Sequence, residues 1–346
     1  MSTIKMDSAV LEFPKVIFGT SSLGNLFVAL EEKIKREIVK ECVDQSASQV
    51  VFDSAGKYGA GLALESLGKY LNDLKVEKGK VLISNKLGWF RTELKTPEPT
   101  FEKDVWIDLQ HDAVQMISYQ GMMQCFEQGN ELLKGYVPQM VSVHDPDEYL
   151  AEANSSEDES KRYNDILEAY RALSDLKTSG KVSSVGVGAK DWKIISRIVK
   201  DVDLDWVMIA NSMTLKSHPI ELLEFMRELE QKHIPIINSA VFHSGFLIGS
   251  NFYDYKLVNS DMPGHNHLIK WRYDFFKICE TFNINPAEAC VAFALKAPGV
   301  KSIALNTANP KRIKQNMDMI QTVIPQEFWT QLIEQGLIDD TLAFLK

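Results

Sequence analysis

Four side chains in the first half of the chain have the types and spacing to move a proton: Asp53 and Tyr58 in FDSAGKYG, Lys86 in ISNKLGW and His144 in VSVHDPDEY. A phenol with a reference pKa of about 10 is a poor base at neutral pH, whereas a neighbouring ammonium lowers it by roughly 1–3 units. Lys86 has the charge for that, and Asp53 is the anion that would keep a buried lysine protonated. A neutral His144 could hydrogen-bond a substrate oxygen and fix its orientation. Such a set suits general acid–base chemistry at a carbonyl or hydroxyl group.

These residues belong to, or closely follow, short β-branched runs. Runs at 16–21, 50–55, 80–87, 140–145, 182–189, 206–211, 234–240 and 301–306 give eight predicted strands, separated by amphipathic segments such as EEKIKREIVKECVDQ and YNDILEAYRALSDLKTSG. Strand, helix, strand at this spacing predicts parallel pairing through right-handed crossovers. Eight units predict an α/β fold, a closed (β/α)8 TIM barrel over one domain, 1–346, whose strand C-terminal ends gather at one mouth. A doubly wound open sheet is the alternative. FGTSSLG after the first strand does not fit the G-x-G-x-x-G phosphate loop that such a sheet would use for a dinucleotide.

Three connections are long: 88–111, 146–160 and 241–268. The first and third are candidate pocket walls, while AEANSSEDES in the second reads as a mobile, solvated loop. A C-terminal helix over EFWTQLIEQGLIDDTLAFL is expected to close the barrel's side or base.

The net charge of -9 and pI near 5.4 argue against a polyanion such as nucleic acid and for a small neutral or weakly charged partner. Cys42, Cys125, Cys279 and Cys290 are scattered, with no metal-ligand spacing, so reduced thiols and no metal are expected. MSTIKMDSAVLEF has no leader pattern, and no run of eighteen apolar residues occurs. The expectation is a cytoplasmic protein without a membrane partner; oligomeric state is left open.

D-S-A-x-x-Y-G, a lysine ending the third strand and V-H-D-P-D ending the fourth together resemble the aldo-keto reductases over essentially the whole chain. The resemblance implies that Tyr58 is the acid/base, that Lys86 and Asp53 set its pKa, and that His144 orients the reacting oxygen. FDSAGKYGAGLALESLGKYL, VGVGAKDW and VFHSGFLIGSNFYDY are similar to the aldose 1-dehydrogenase branch, which holds L-fucose, D-threo-aldose and L-galactose dehydrogenases and a pyridoxal dehydrogenase. That implies hydride transfer between C1 of an aldose and a nicotinamide, giving an aldonolactone. An NADPH-dependent aldehyde or ketone reductase, a pyridoxal dehydrogenase and a non-enzymatic, redox-sensing barrel subunit stay open.

The resemblance also implies cofactor contacts from Gly19, Thr20 and Asp53. Reductases commonly carry Ser-Asn where Gly188 and Ala189 stand, so Asn211 is the candidate to orient the nicotinamide amide. The position that often stacks an aromatic ring on the nicotinamide falls near Ser239, which cannot stack, and Phe242 is the candidate replacement. Ser244, Gly245 and Leu247 in SGFL would offer backbone N–H groups to the pyrophosphate. SIALNTANPKRIKQN resembles an adenosine-phosphate site with Asn306, Thr307, Arg312 and Asn316. A lysine often found there for the 2'-phosphate is Asn306 here, which points to NAD and leaves NADP open through Arg312. For the substrate, Trp89 is the candidate platform for a sugar's C–H face, beside Tyr58, His144 and Phe242.

Overall fold

The eight apolar runs form strands because each is buried on both sides, by the barrel interior and by the helical coat. In a computed structural model describing residues 13–254, 256–262 and 264–345, they are β1 (Val16–Gly19), β2 (Val50–Ala55), β3 (Val81–Leu87) and β4 (Met140–His144), then β5 (Ser184–Ala189), β6 (Trp206–Ala210), β7 (Ile236–Ser239) and β8 (Val300–Leu305). They close into one parallel barrel in chain order, with β8 against β1. The stretch 1–12, read above for a leader, and Tyr255 in VFHSGFLIGSNFYDY lie outside the described residues.

Side-chain alternation then sorts the barrel into tiers. Ile17, Val51, Met140, Trp206, Met208 and Ile237 form an apolar interior cluster, joined by Leu82 and Ala304. Stepping by twos from that cluster reaches Asp53 on β2, Lys86 on β3 and His144 on β4, all buried at the opposite, C-terminal end. Small residues lie between: Ser84 and Ser142, also buried, leave the width that a lysine chain needs. The remaining core fills the space between barrel and helices.

The strands at 140–145, 206–211 and 234–240 stop short of the predicted ends for one shared reason. The next residue in each, Asp145, Asn211 and Ala240, takes a left-handed conformation at φ +45°, +60° and +53°. The chain thus turns sharply into the mouth just where side chains must be aimed.

Two expectations require correction. AEANSSEDES is not a loop: a short helix at Pro146–Ala151 precedes a long one at Ser156–Thr178. Ser155 caps the second by accepting from the Asp158 N–H at 3.1 Å, and Glu157, Asp158 and Glu159 sit where the helix dipole favours negative charge. The C-terminal helix is shorter than 327–345, running Gln326–Glu334 before Gly336 turns left-handed. It packs Trp329 into the coat beside Phe293 and Phe328, and so lies on the barrel's side. The long connection after β3 forms an antiparallel hairpin, Trp89–Glu93 with His111–Gln115. All four cysteines are buried thiols, and no described helix is long and apolar enough to cross a membrane.

The barrel floor sets a sharp limit on volume. Trp206, fully buried, lays its indole against Gly186, and a Cβ there would fall inside the ring system. Gly186→Ala should therefore cost about 1–3 kcal/mol through forced repacking, seen as a lower urea midpoint. An unchanged midpoint would mean that the floor yields.

Candidate active site

The neighbouring strands bring the four chemistry-bearing side chains to one point. Lys86 Nζ and Asp53 Oδ2 form a buried ion pair. The ammonium also stands 4.8 Å from the Tyr58 ring centroid, and the Tyr58 ring meets His144 edge-on with centroids 5.6 Å apart. All four border one cavity of about 970 Å³ at the strand C-termini.

Tyr58 is fixed by the turn after β2, where its N–H donates to the Ala55 carbonyl at 3.1 Å. The loop after β1 presses on the same turn: a Cβ on Gly24 would lie 2.8 Å from the Tyr58 carbonyl carbon, and Gly59 at φ +63° meets Gly24 from the other side. Thr20 was expected at the cofactor; instead its hydroxyl and N–H both donate to the Asp53 carbonyl at 3.0 Å, and it does not border the cavity. Its short side chain is used to hold the end of β2.

Burial holds His144 well below the usual histidine range, and the charges of Lys57 and Lys86 push it the same way. The ring is therefore neutral at neutral pH, with Nε2 3.5 Å from Asp145 Oδ2. A neutral ring retains one N–H donor for a substrate oxygen.

Sequence reasoning missed the rim beside this group. Lys57, only 5% exposed at its side chain, bonds Glu102 Oε1 at 2.8 Å, Glu148 Oε2 at 2.9 Å and Asp145 Oδ2 at 3.4 Å. Burial alone would lower its pKa, but Asp145, Glu102 and Glu148 together hold it well above the usual lysine range. Lys190 pairs with the other oxygen of Glu148. The one available signal was a lysine directly before Tyr58, which in a turn reads as a surface residue.

Trp89 was expected as the substrate platform, but it does not border the cavity. Its ring packs against Phe101 with centroids 5.6 Å apart, and Lys57 Nζ lies 5.3 Å from its centroid. Trp106, from the same connection, does border it, 5.7 Å centroid to centroid from Tyr58 and oriented by an indole N–H donated to Glu102 Oε2 at 2.6 Å.

On the opposite side the cavity is bordered by Gly19, Asn211, Ser239, Phe242, Ser244, Gly245, Asn306, Thr307 and Arg312. Leu247 and Asn316 do not border it: Leu247 is fully buried in the core, and Asn316 sits back along the helix Lys311–Met319. Ser239 donates to the Ile209 carbonyl at 3.3 Å. Asn306 accepts from the Ser22 N–H at 3.4 Å, linking the ends of β8 and β1. Asn211 places a buried amide oxygen at the cavity with no partner among the described residues, which suits the N–H of a carboxamide.

The loop from Ala240 to Gly245 holds four left-handed residues, with φ +53° at Ala240, +47° at His243, +56° at Ser244 and +85° at Gly245. His243 fixes it from below, bonded to Asp254 at 2.8 Å and Thr214 at 2.7 Å and stacked on Tyr253 at 4.4 Å.

The depressed His144 pKa has a direct consequence for folding. The unfolded chain accepts a proton on this histidine near pH 6.5 that the folded protein refuses, so its contribution is complete above that pH and declines as pH falls. Between pH 7.5 and 5 the wild type should lose up to about 2 kcal/mol more stability than His144→Gln, as compared from urea midpoints. Parallel curves would show that His144 protonates freely in the fold.

The aldo/keto reductase family profile matches residues 15–335. A pyridoxal 4-dehydrogenase from Microbacterium luteolum is 26% identical over 330 residues, covering 92% of this chain and 93% of its own length. A D-threo-aldose 1-dehydrogenase from a Pseudomonas species is 24% identical over 344 residues, covering 96% of each. An aldo/keto reductase from Klebsiella pneumoniae, solved in complex with NADP and acetate, superposes with a TM-score of 0.61 at 16% identity, covering 94% of this chain and 93% of that one. With its closed parallel barrel and a profile match spanning nearly its whole length, this chain belongs to the aldo/keto reductase family of oxidoreductases.

Proposed function

We propose that this enzyme transfers hydride between C1 of an aldose and a nicotinamide cofactor, yielding an aldonolactone in the oxidising direction. The observation that carries this reading is the substrate side of the cavity. The Trp106 indole stands beside Tyr58, and the carboxylates of Glu102, Asp145 and Glu148 stand next to it. A sugar has an apolar C–H face that suits an aromatic ring and hydroxyls that suit carboxylate acceptors.

In oxidation, Tyr58 takes the proton of the anomeric hydroxyl while neutral His144 holds the same oxygen. In reduction, Tyr58 returns a proton to the carbonyl oxygen. Lys86 supplies positive charge beside the phenol, and Asp53 keeps that ammonium paired. The residues to hold the cofactor are Asn211, Phe242, Ser244, Gly245, Asn306, Thr307 and Arg312. Bound there, the nicotinamide supplies the hydride acceptor or donor. The NADP held by the Klebsiella protein supports a nicotinamide here and keeps NADP beside NAD, while Asn306 in place of a cation favours NAD. The buried free thiols accord with a cytoplasmic setting.

Similarity to a pyridoxal 4-dehydrogenase favours a second reading. Pyridoxal closes its aldehyde onto the neighbouring hydroxymethyl group as a cyclic hemiacetal, so it presents the same reacting carbon as an aldose. Initial rates at 340 nm with NAD and NADP, across neutral aldoses, simple aldehydes and pyridoxal, separate the readings. Turnover of pyridoxal alone would displace the sugar assignment.

Tyr58→Phe deletes the proton-transfer group and little else, so kcat should fall about 10²–10⁴-fold while cofactor affinity stays close to wild type. Turnover like wild type would remove Tyr58 from the chemistry. For the cofactor, Asn306→Lys should tighten NADP binding by roughly 10-fold or more with little change for NAD, since the new cation meets only the 2'-phosphate. Titrations following tryptophan emission at fixed ionic strength measure both. A wild type that already prefers NADP would show that Arg312 alone serves the phosphate.

A further inference from the structure

The cavity's charged side chains fall into three groups with different balances. Asp53 and Lys86 cancel as an ion pair at the reacting centre. Arg312, on the helix after β8, stands on the part bordered by Asn306 and Thr307. The third group is Lys57, Lys190, Glu102, Asp145 and Glu148, all bordering the cavity next to Tyr58 and His144. Two cations against three carboxylates leave that wall with a formal charge of -1.

The geometry of this wall is fixed by its own contacts. Lys57 is the hub, tying the connection after β3 through Glu102 to the segment after β4 through Asp145 and Glu148. Glu102 is bound at both oxygens, by Lys57 and by the Trp106 indole; Glu148 likewise, by Lys57 and Lys190. Each ammonium faces carboxylates, so an incoming anion would have to displace an ion pair already made. A hydroxyl meets oriented acceptors instead.

We propose that the Lys57-centred wall sets substrate charge, admitting uncharged polyhydroxylated molecules and excluding those that carry a phosphate or carboxylate away from the reacting carbon. This rests on the aldose reading above and adds its specificity device. An excess negative charge several ångströms from a substrate anion disfavours binding, and the effect weakens as salt screens it. Tyr58 chemistry at C1 is the same for both kinds of substrate, so the discrimination resides in the rim.

The test compares D-galactose with D-galactose 6-phosphate, which close the same pyranose ring and differ only at the far end of the molecule. Wild-type kcat/KM should favour the neutral sugar by more than about 10-fold at low ionic strength, and the ratio should shrink as salt rises. Glu102→Gln and then Glu102→Gln with Glu148→Gln should narrow it by roughly 3- to 10-fold per charge removed. Lys57→Met should widen it. The opposite signs separate a charge filter from general damage, and the glutamine variants carry the test by themselves if Lys57→Met does not fold. A wild-type ratio near one, or a ratio that ignores all these substitutions, overturns the proposal. If no neutral aldose turns over, the aldose reading fails. Dissociation constants for the same pair, followed by tryptophan emission in the cofactor complex, then decide the charge filter independently.

Discussion

Everything at the mouth of this barrel depends on a lysine and an aspartate held together out of water. Removing one partner of such a buried pair typically costs about 3–5 kcal/mol, because the other is left charged and unpaired. The barrel makes the pair by register: Asp53 is opposite Ser84 and Ala55 opposite Lys86, so the two side chains reach each other diagonally between adjacent strands. Thr20 then fixes the carbonyl of Asp53, and small residues on β3 and β4 give the lysine chain its passage. The ammonium that results cannot move far from Tyr58.

The rim repeats the same physics with a different balance. Lys57 is nearly as buried as Lys86 but faces three carboxylates rather than one. Both lysines act on His144, which is kept neutral first by burial and then by their two charges. Inner pair and outer network therefore meet in one property, a histidine that can donate a hydrogen bond without carrying charge. Asp145 connects them physically, with one oxygen near both Lys57 and His144.

The strands were legible because a parallel barrel buries both faces of each one, which writes a short apolar run into the sequence at every repeat. The inner four were legible because Asp53, Lys86 and His144 interrupt or end those runs with groups that no packed core selects. What escaped depends on partners distant in sequence. Choosing between Trp89 and Trp106 requires the fold of the connection after β3, and nothing local says which indole Glu102 will orient. Lys57 looked like a turn lysine because its three acids come from two other loops. AEANSSEDES read as a mobile, solvated loop by composition, although its Ser155 and the acids after it are also the signature of a helix start. Asn306 was read as a cofactor-site residue in place of a cation, and its bond to Ser22 went unseen because it spans the closure of the barrel.

The mouth also carries a conformational load that the rest of the barrel offsets. Glu102, Asp145, Asn211, Ala240, His243 and Ser244 are all left-handed, and none is glycine. Such residues cost of order 1–3 kcal/mol each and persist only where the surroundings over-determine them. Here the surroundings are identifiable: the Lys57 hub for Glu102 and Asp145, and the Asp254–His243–Thr214 bonds for the loop after β7. Aspartate and asparagine tolerate this region better than most side chains, which suits Asp145 and Asn211 to their positions. Beneath them, the apolar floor around Trp206 has no chemistry to perform and packs without compromise. Stability is thus gathered at one end of the strands and expended at the other, where a left-handed backbone holds Glu102 and Asp145 in the Lys57 network.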